Sequence, residues 1–85
     1  MNGGSGNDAL VYQGSGGATI NGDEGEDYIQ TVGTVTVNGG ADGDYITHSG
    51  LERAIIHGNG GNDKIFGGLG ADEIYGDDGT DEITG

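Results

Sequence analysis

One large aliphatic residue recurs at short, nearly regular intervals along the whole chain, each time inside a brief alternating segment. Two such segments are Ala18-Thr19-Ile20-Asn21 and Val35-Thr36-Val37-Asn38. The recurring residues are Leu10, Ile20, Ile29, Val37, Ile46, Ile56, Ile65, Ile74 and Ile83. Alternation and β-branching between glycine-rich breaks are typical of strands joined by turns, and no helical period occurs. The pattern predicts an all-β solenoid of about nine short strands.

Six of these aliphatic residues follow a glycine-rich turn that ends in an aspartate two places earlier. The six aspartates are Asp8, Asp27, Asp44, Asp63, Asp72 and Asp81. The other three segments carry Ala18, Val35 and Ala54 at that place. Residues two apart in a strand share a face, so this place points into the core, where an uncompensated carboxylate is costly. We therefore expect each aspartate to be bound to a cation, and an apolar residue to replace it where no cation binds.

The spacing between aliphatic residues separates two kinds of turn. The separation is nine residues wherever an aspartate turn lies between two of them, as from Ile56 to Ile65. It is eight from Ile29 to Val37 and ten from Ile46 to Ile56, where the motif is missing. A turn that wraps an ion needs a fixed length. A plain solenoid period does not explain why only the aspartate-free turns vary, so the spacing favours metal binding.

Composition and charge limit the partners. The chain has 22 glycines, no proline, no cysteine, 31% hydrophobic residues and a net charge of −13. Such a chain is poor in core residues and tends to be disordered on its own, while its charge attracts cations and repels nucleic acid and anionic membranes. Thiolate zinc sites are excluded, and no apolar run reaches the roughly 20 residues of a membrane-spanning helix. We expect a cation partner, no nucleic acid and no membrane insertion.

The repeat resembles that of the RTX (repeats-in-toxin) family, whose nonapeptide is Gly-Gly-x-Gly-x-Asp-x-aliphatic-x. The segments 3–11 and 67–75 match it at every specified place. The other four copies depart at one place each, where a glycine is replaced by Asp23, Asp42, Asn59 or Asp77. Since Asn and Asp tolerate left-handed backbone better than other residues with side chains, these replacements keep the turn feasible.

The resemblance implies a right-handed parallel β-roll, a two-sheet β-solenoid in which two nonapeptides form one coil. Calcium ions would lie between stacked turns, held by backbone carbonyls of the glycine loops and by the aspartates. Five motif turns would then stack on one edge and enclose about four ions. The residues expected there are Gly3, Ser5, Asp8, Gly22, Glu24, Asp27, Gly39, Ala41, Asp44, Gly58, Gly60, Asp63, Gly76, Asp78 and Asp81. A weaker half-site on the other edge would use Gly67, Leu69 and Asp72.

Near the half-site, Glu52 either assists the metal, forms an exposed salt bridge with Arg53 or is simply solvated. The outward Tyr28 and Tyr45 are expected to form a cross-strand pair, with Phe66 nearby on the same face. These aromatic residues either form an interaction patch for a neighbouring domain or reflect only the strand propensity of aromatic side chains. Two outward threonines, Thr19 and Thr36, are expected to repeat on the other sheet.

Other interpretations are weaker. His48 and His57 are expected to be exposed to solvent and not to share a zinc ion. Asp42-Gly43-Asp44 fails as an EF-hand loop because Arg53 stands at the twelfth place, where a glutamate is required. The segment 14–17 is a turn and not a dinucleotide loop. No Ser-His-Asp or Cys-His arrangement is supported, so the chain is not expected to be an enzyme.

Two functional hypotheses remain. In the first, residues 1–85 form a single calcium-binding module that folds on binding Ca²⁺ and supports export, folding or stability of a larger secreted protein. The resemblance implies type I secretion and an extracellular or cell-surface location, with flanking domains of a parent polypeptide as partners. In the second, the module is a structural or binding segment of an adhesin, surface-layer or polysaccharide-handling protein, with the outer sheet faces as the interaction surface. Open strands on the terminal coils also favour end-to-end self-association.

Overall fold

The computed structural model describes residues 2–14, 17–70 and 72–84, and every regular element in them is a strand. The strands are β1 (Ala9–Gln13), β2 (Ala18–Asn21), β3 (Tyr28–Val32), β4 (Val35–Asn38), β5 (Tyr45–Ser49), β6 (Ala54–His57), β7 (Lys64–Phe66), β8 (Glu73–Tyr75) and β9 (Glu82–Thr84). Each strand contains one of the nine recurring aliphatic residues, so the predicted number and position of the strands are confirmed.

Successive strands alternate between two parallel sheets. The five-stranded sheet has the order β1-β3-β5-β7-β9, and the four-stranded sheet has the order β2-β4-β6-β8. A strand from each sheet and the two turns beside them form one coil, and about four coils stack into a solenoid. The predicted two-sheet architecture is therefore confirmed. None of the described residues forms a helix of the length and apolarity that crossing a bilayer requires.

The aliphatic residues stack in register between coils and form the core. Ile29 pairs with Ile46, and Ile46 pairs with Ile65. The buried hydrophobic residues are Ile20, Ile29, Val35, Val37, Ile46, Ala54, Ile56 and Ile65. Leu10 and Ile74 are only partly buried, and the side chain of Ile83 is 46% exposed. The core is thus a narrow double row of side chains, complete in the middle coils.

The four residues that replace motif glycines all have left-handed backbone. Their φ angles are 71° for Asp23, 72° for Asp42, 68° for Asn59 and 63° for Asp77. Left-handed φ is costly for most side-chain-bearing residues and least so for Asn and Asp. The expectation that these substitutions preserve the turn is confirmed.

The predicted exposure of His48 is wrong. His48 is 2% exposed because it stands at an inward position of β5, next to Thr31 of β3. Its Nδ1 lies 3.0 Å from Thr31 Oγ1, and its Nε2 lies 3.1 Å from the carbonyl oxygen of Glu52. That carbonyl only accepts, so Nε2 donates to it, and in the neutral ring Nδ1 accepts from the threonine hydroxyl. His57 is partly exposed and stacks on Tyr75 with ring centroids 4.8 Å apart.

Of the alternatives for Glu52, the salt bridge with Arg53 is not formed, because Arg53 forms an ion pair with Glu73 of the next coil. Glu52 itself is exposed. Arg53 thus pairs with an acid 20 positions away along the chain and not with its sequence neighbour Glu52. The segment 14–17 contains Ser15 and Gly16, which lie outside the described residues, so the turn expected there is not assessed.

The aromatic arrangement on the outer face of the five-stranded sheet is confirmed. Tyr28 and Tyr45 stack with ring centroids 5.1 Å apart and an interplanar angle of 5°. Phe66 lies 5.7 Å from Tyr45 in a tilted orientation. On the other sheet, Thr19 and Thr36 are paired neighbours, as expected.

Candidate metal centre

Five motif turns stack on one side of the solenoid, which we call the first edge. They comprise residues 3–8, 22–27, 39–44, 58–63 and 76–81. Backbone hydrogen bonds hold them in register: the Gly39 N–H donates to His57 O at 2.8 Å, and the Tyr45 N–H donates to Asp27 O at 2.8 Å. The second edge holds the turns that follow β3, β5 and β7. Each turn of the first edge therefore faces an equivalent turn one coil away.

The aspartates of the first edge form a continuous ladder. Oδ1 of every aspartate after Asp8 accepts a hydrogen bond from the backbone N–H of the aspartate in the preceding turn. The donor–acceptor distances are 2.9 Å from Asp8 to Asp27, 2.9 Å from Asp27 to Asp44, 2.8 Å from Asp44 to Asp63 and 2.8 Å from Asp63 to Asp81. Because each N–H is fixed by strand pairing, the ladder holds every carboxylate in a fixed orientation.

In four of these carboxylates, and in Asp72 of the second edge, the second oxygen has no partner among the described residues. Oδ2 is buried and accepts no hydrogen bond from any described residue at Asp8, Asp27, Asp44, Asp63 and Asp72. Asp27, Asp44 and Asp63 are only 2%, 3% and 2% exposed as whole residues. Buried polar atoms are almost always paired, and leaving a charged one unpaired is costly. A bound cation would compensate the charge of these unpartnered carboxylate oxygens.

The first glycine of each turn leaves space beside that oxygen. A Cβ on Gly39 would lie 2.5 Å from Asp44 Oδ2 and 2.9 Å from Gly58 O, which belongs to the next turn. On Gly3 it would lie 2.9 Å from Asp8 Oδ2 and 2.8 Å from Gly22 O. A carboxylate oxygen of one turn and a carbonyl oxygen of the next thus lie close to the same glycine, where a side chain would displace them. An all-oxygen donor set of this kind fits a hard cation.

The structure brings together the first glycine and the aspartate of every motif turn on the first edge, as predicted. The residues predicted at the third place of each motif turn are not among the nearest neighbours of the first glycine. Ser5, Glu24, Ala41 and Asp78 are exposed, and Gly60 is half-buried. Across the described ranges, no three His, Cys, Asp or Glu side chains come together as metal ligands. Beside the first glycine of a turn, the described oxygens are one carboxylate oxygen and one backbone carbonyl oxygen, as at Gly39.

On the second edge, Asp72 repeats the pattern of the first. Its Oδ1 accepts a hydrogen bond from the Ala54 N–H at 2.9 Å, while Oδ2 is buried without a described partner. The nearest turn offers a carbonyl, because a Cβ on Gly70 would lie 2.7 Å from Leu51 O. Leu69 is 70% exposed, and Gly67 donates its N–H to Thr84 O at 2.7 Å. The carboxylate of Glu52 lies beside Gly50.

Sequence reasoning missed the side chains that bridge neighbouring turns. The Gly4 N–H donates to Asp23 Oδ2 and the Gly25 N–H to Asp42 Oδ2, both at 3.1 Å. Asn7 Oδ1 accepts from Glu26 N–H, and Asn62 Oδ1 accepts from Thr80 N–H, both at 2.9 Å. Both asparagines stand immediately before the aspartate of their motif. Their shared place in the motif was the signal that the sequence offered for these bonds.

Burial changes the acidity of the aspartate row. It raises the pKa of the Asp44 carboxyl from 3.8 to about 7 and that of Asp63 to about 6. The pKa of Asp27 is raised for the same main cause. The ladder hydrogen bonds act in the opposite direction, and the neighbouring carboxylates add to the rise. In the absence of metal, the row therefore resists full ionisation near neutral pH.

The fold and the site together define a parallel β-solenoid with oxygen-lined, stacked turns on one edge. A model of the family described as RTX calcium-binding nonapeptide repeat (4 copies) matches residues 12–31 and 54–85, which is more than half of the chain. The chain belongs to this family, and its repeats are calcium-binding repeats. Comparisons with curated proteins and with solved structures give no match.

Replacing Gly39 by alanine tests the space beside Asp44 Oδ2. The added Cβ would lie 2.5 Å from that oxygen, so we expect weaker calcium binding and a loss of about 1–3 kcal/mol of stability, as for an overpacked site. Gly60→Ala is the matched control, because a Cβ there meets no atom within 4 Å and the backbone carbonyl is kept. Calcium titration followed by circular dichroism makes the comparison. Equal behaviour of the two variants would show that the space is not used.

The raised pKa values predict how the metal-free chain responds to pH. Folded Asp44 and Asp63 hold protons up to about pH 7 and 6, whereas 3.8 is the ordinary value. The folded state therefore binds more protons than the unfolded state between these values, and its stability falls as the pH rises. In calcium-free buffer, strand content measured by circular dichroism should be higher at about pH 5 than at about pH 7.5. Strand content that increases with pH across this interval contradicts the assignment.

Proposed function

We propose that this chain is a calcium-dependent folding module that supports the export, folding or stability of a larger secreted protein. The observation that carries the proposal is the buried, unpartnered Oδ2 repeated at Asp8, Asp27, Asp44 and Asp63. Such oxygens destabilise a compact chain unless a cation compensates them. Membership of a calcium-binding repeat family supports calcium as that cation. The proposed role is structural and not catalytic.

The proposed ligands are the aspartates of the first edge and backbone carbonyls of its turns. Five stacked turns have four gaps between them, so we propose about four ions there. Within each gap, the carboxylate of one turn and the first-glycine carbonyl of the next would contribute, as at Asp44 and Gly58. Asp72 would form a weaker site on the second edge, because its neighbouring turn lacks the motif. Bound calcium would supply positive charge and accept several oxygen ligands in a flexible geometry.

Folding and calcium binding are linked in this proposal because the site exists only between coils. The N–H groups that orient the carboxylates come from residues 17 to 19 positions away along the chain. In an unfolded chain these groups are apart, and a net charge of −13 keeps them apart. A ligand that binds only the folded state stabilises that state. The free energy of binding therefore contributes directly to folding.

The proposed location follows from calcium concentration. Extracellular calcium modules bind at about 10⁻⁴ to 10⁻³ M, far above the range of the cytosolic calcium sensors. With such affinities the module stays unfolded while calcium is scarce and folds where calcium is plentiful. This behaviour suits a segment that is exported before it folds, and it supports the secreted or cell-surface location proposed for the chain.

Asp44→Asn tests the role of the carboxylate without removing the ladder. The amide keeps Oδ1 as acceptor for the Asp27 N–H but replaces the unpartnered oxygen and removes its charge. We expect folding to require about tenfold more calcium, equivalent to 1.4 kcal/mol. We also expect residual structure without calcium to increase, because a buried charge is lost.

Asp78→Asn is the control, since it removes the same charge from an exposed side chain. Isothermal titration calorimetry and circular dichroism of both variants measure ion number and folding midpoint. If Asp44→Asn and Asp78→Asn shift the midpoint equally, the effect is one of net charge and the proposed ligand role of Asp44 is wrong.

A further inference from the structure

An open groove runs along the outer face of the five-stranded sheet, beside the first edge. Its volume is about 520 Å³, within the range of about 300–1,000 Å³ that is typical of small-molecule clefts. One wall consists of residues that precede the motif aspartates, including Asn7, Glu26 and Asn62. The other consists of residues that follow them, including Tyr28, Tyr45 and Lys64. Because it crosses four successive coils, the groove lies along the solenoid axis and suits a linear ligand.

One wall offers an open aromatic surface. Tyr45 is covered on one side by Tyr28 and approached on the other by Phe66. Among the described residues, Tyr28 has one ring contact, which is with Tyr45, and its neighbour on β1 is Ala9. A methyl group covers little of an aromatic ring, and Tyr28 is 45% exposed. The free face of Tyr28 is therefore available to stack against a ring with apolar C–H groups.

The other wall offers hydrogen-bond donors in fixed positions. Asn7 and Asn62 each use Oδ1 to accept a backbone N–H of the next turn. This bond fixes the orientation of the amide, and no described residue accepts a hydrogen bond from the two N–H groups of Nδ2. Glu26 adds an acceptor in the same wall, and the tyrosine hydroxyls donate or accept. Paired donors and acceptors beside an aromatic face are the groups that a polyhydroxylated ring needs.

The charges of the groove favour an uncharged ligand. Glu26 and Lys64 are its charged side chains apart from the aspartate row that lies between the walls. Their opposite signs give the walls no net preference, while the net charge of −13 repels polyanions. We propose that this groove binds a neutral oligosaccharide, with one sugar ring on the free face of Tyr28 and hydroxyl groups on Nδ2 of Asn7 and Asn62. This binding activity is separate from calcium binding, although it requires the folded module.

The test is a nuclear magnetic resonance titration of the calcium-saturated chain with cellotetraose, maltotetraose, mannotetraose and xylotetraose. We expect at least one of them to shift the amide signals of Tyr28, Asn7 and Asn62. Tyr28→Ala should weaken its binding by about tenfold, which corresponds to 1.4 kcal/mol. Tyr75→Ala is the matched control, since Tyr75 is equally exposed at 46% but lies on the other sheet.

Asn7→Asp isolates the amide donors. The variant keeps an oxygen to accept the Glu26 N–H and loses both Nδ2 donors, so the fold should persist in calcium while sugar affinity falls by about tenfold. Circular dichroism in calcium verifies folding of each variant separately from sugar binding. The proposal is overturned if no neutral tetrasaccharide binds with a Kd below about 10 mM. It is equally overturned if only tetragalacturonate or tetralysine shifts these signals, or if Tyr75→Ala weakens binding as much as Tyr28→Ala.

Discussion

Along the first edge of the solenoid, every inward aspartate after Asp8 accepts a backbone N–H of the preceding turn with one oxygen. In four of the five turns the other oxygen is buried without a partner among the described residues. The first oxygen ties adjacent coils together, as between Asp27 and Asp44. The second makes the compact state costly until a cation binds. The same side chain is therefore both a structural contact between coils and the proposed ligand of calcium. This arrangement depends on the fixed nine-residue spacing, on the glycine at the first place of the motif and on the inward-facing position of the aspartate.

The hydrophobic core cannot replace that stabilisation. It contains a double row of aliphatic side chains, and the residues at the terminal coils are only partly buried. Glycine-rich turns add a large entropy cost on folding. They are nevertheless required, because a Cβ at Gly39 would intrude between Asp44 Oδ2 and Gly58 O. Glycine thus raises the entropy cost of folding, but it also allows the oxygens of successive turns to approach one another.

Much of the fold was predictable because it depends on short-range spacing. The aliphatic register located the nine strands, and the resemblance to RTX repeats assigned them to two sheets. The left-handed conformations at Asp23 and Asn59 followed from local sterics. Contacts between coils were harder to predict because they join residues 17 to 20 positions apart. The burial of His48 against Thr31 and the pairing of Arg53 with Glu73 depend on that offset, which changes with the length of each turn. The groove was missed for the same reason, since it exists only when four coils are stacked.

The central claim is that the solenoid requires calcium to fold, and far-ultraviolet circular dichroism at neutral pH tests it most directly. The spectrum is recorded as free calcium is lowered from millimolar concentrations with a chelator. We predict a cooperative loss of strand signal, with a midpoint at about 10⁻⁴ to 10⁻³ M, and recovery when calcium is restored. A full strand signal in excess chelator would contradict the account.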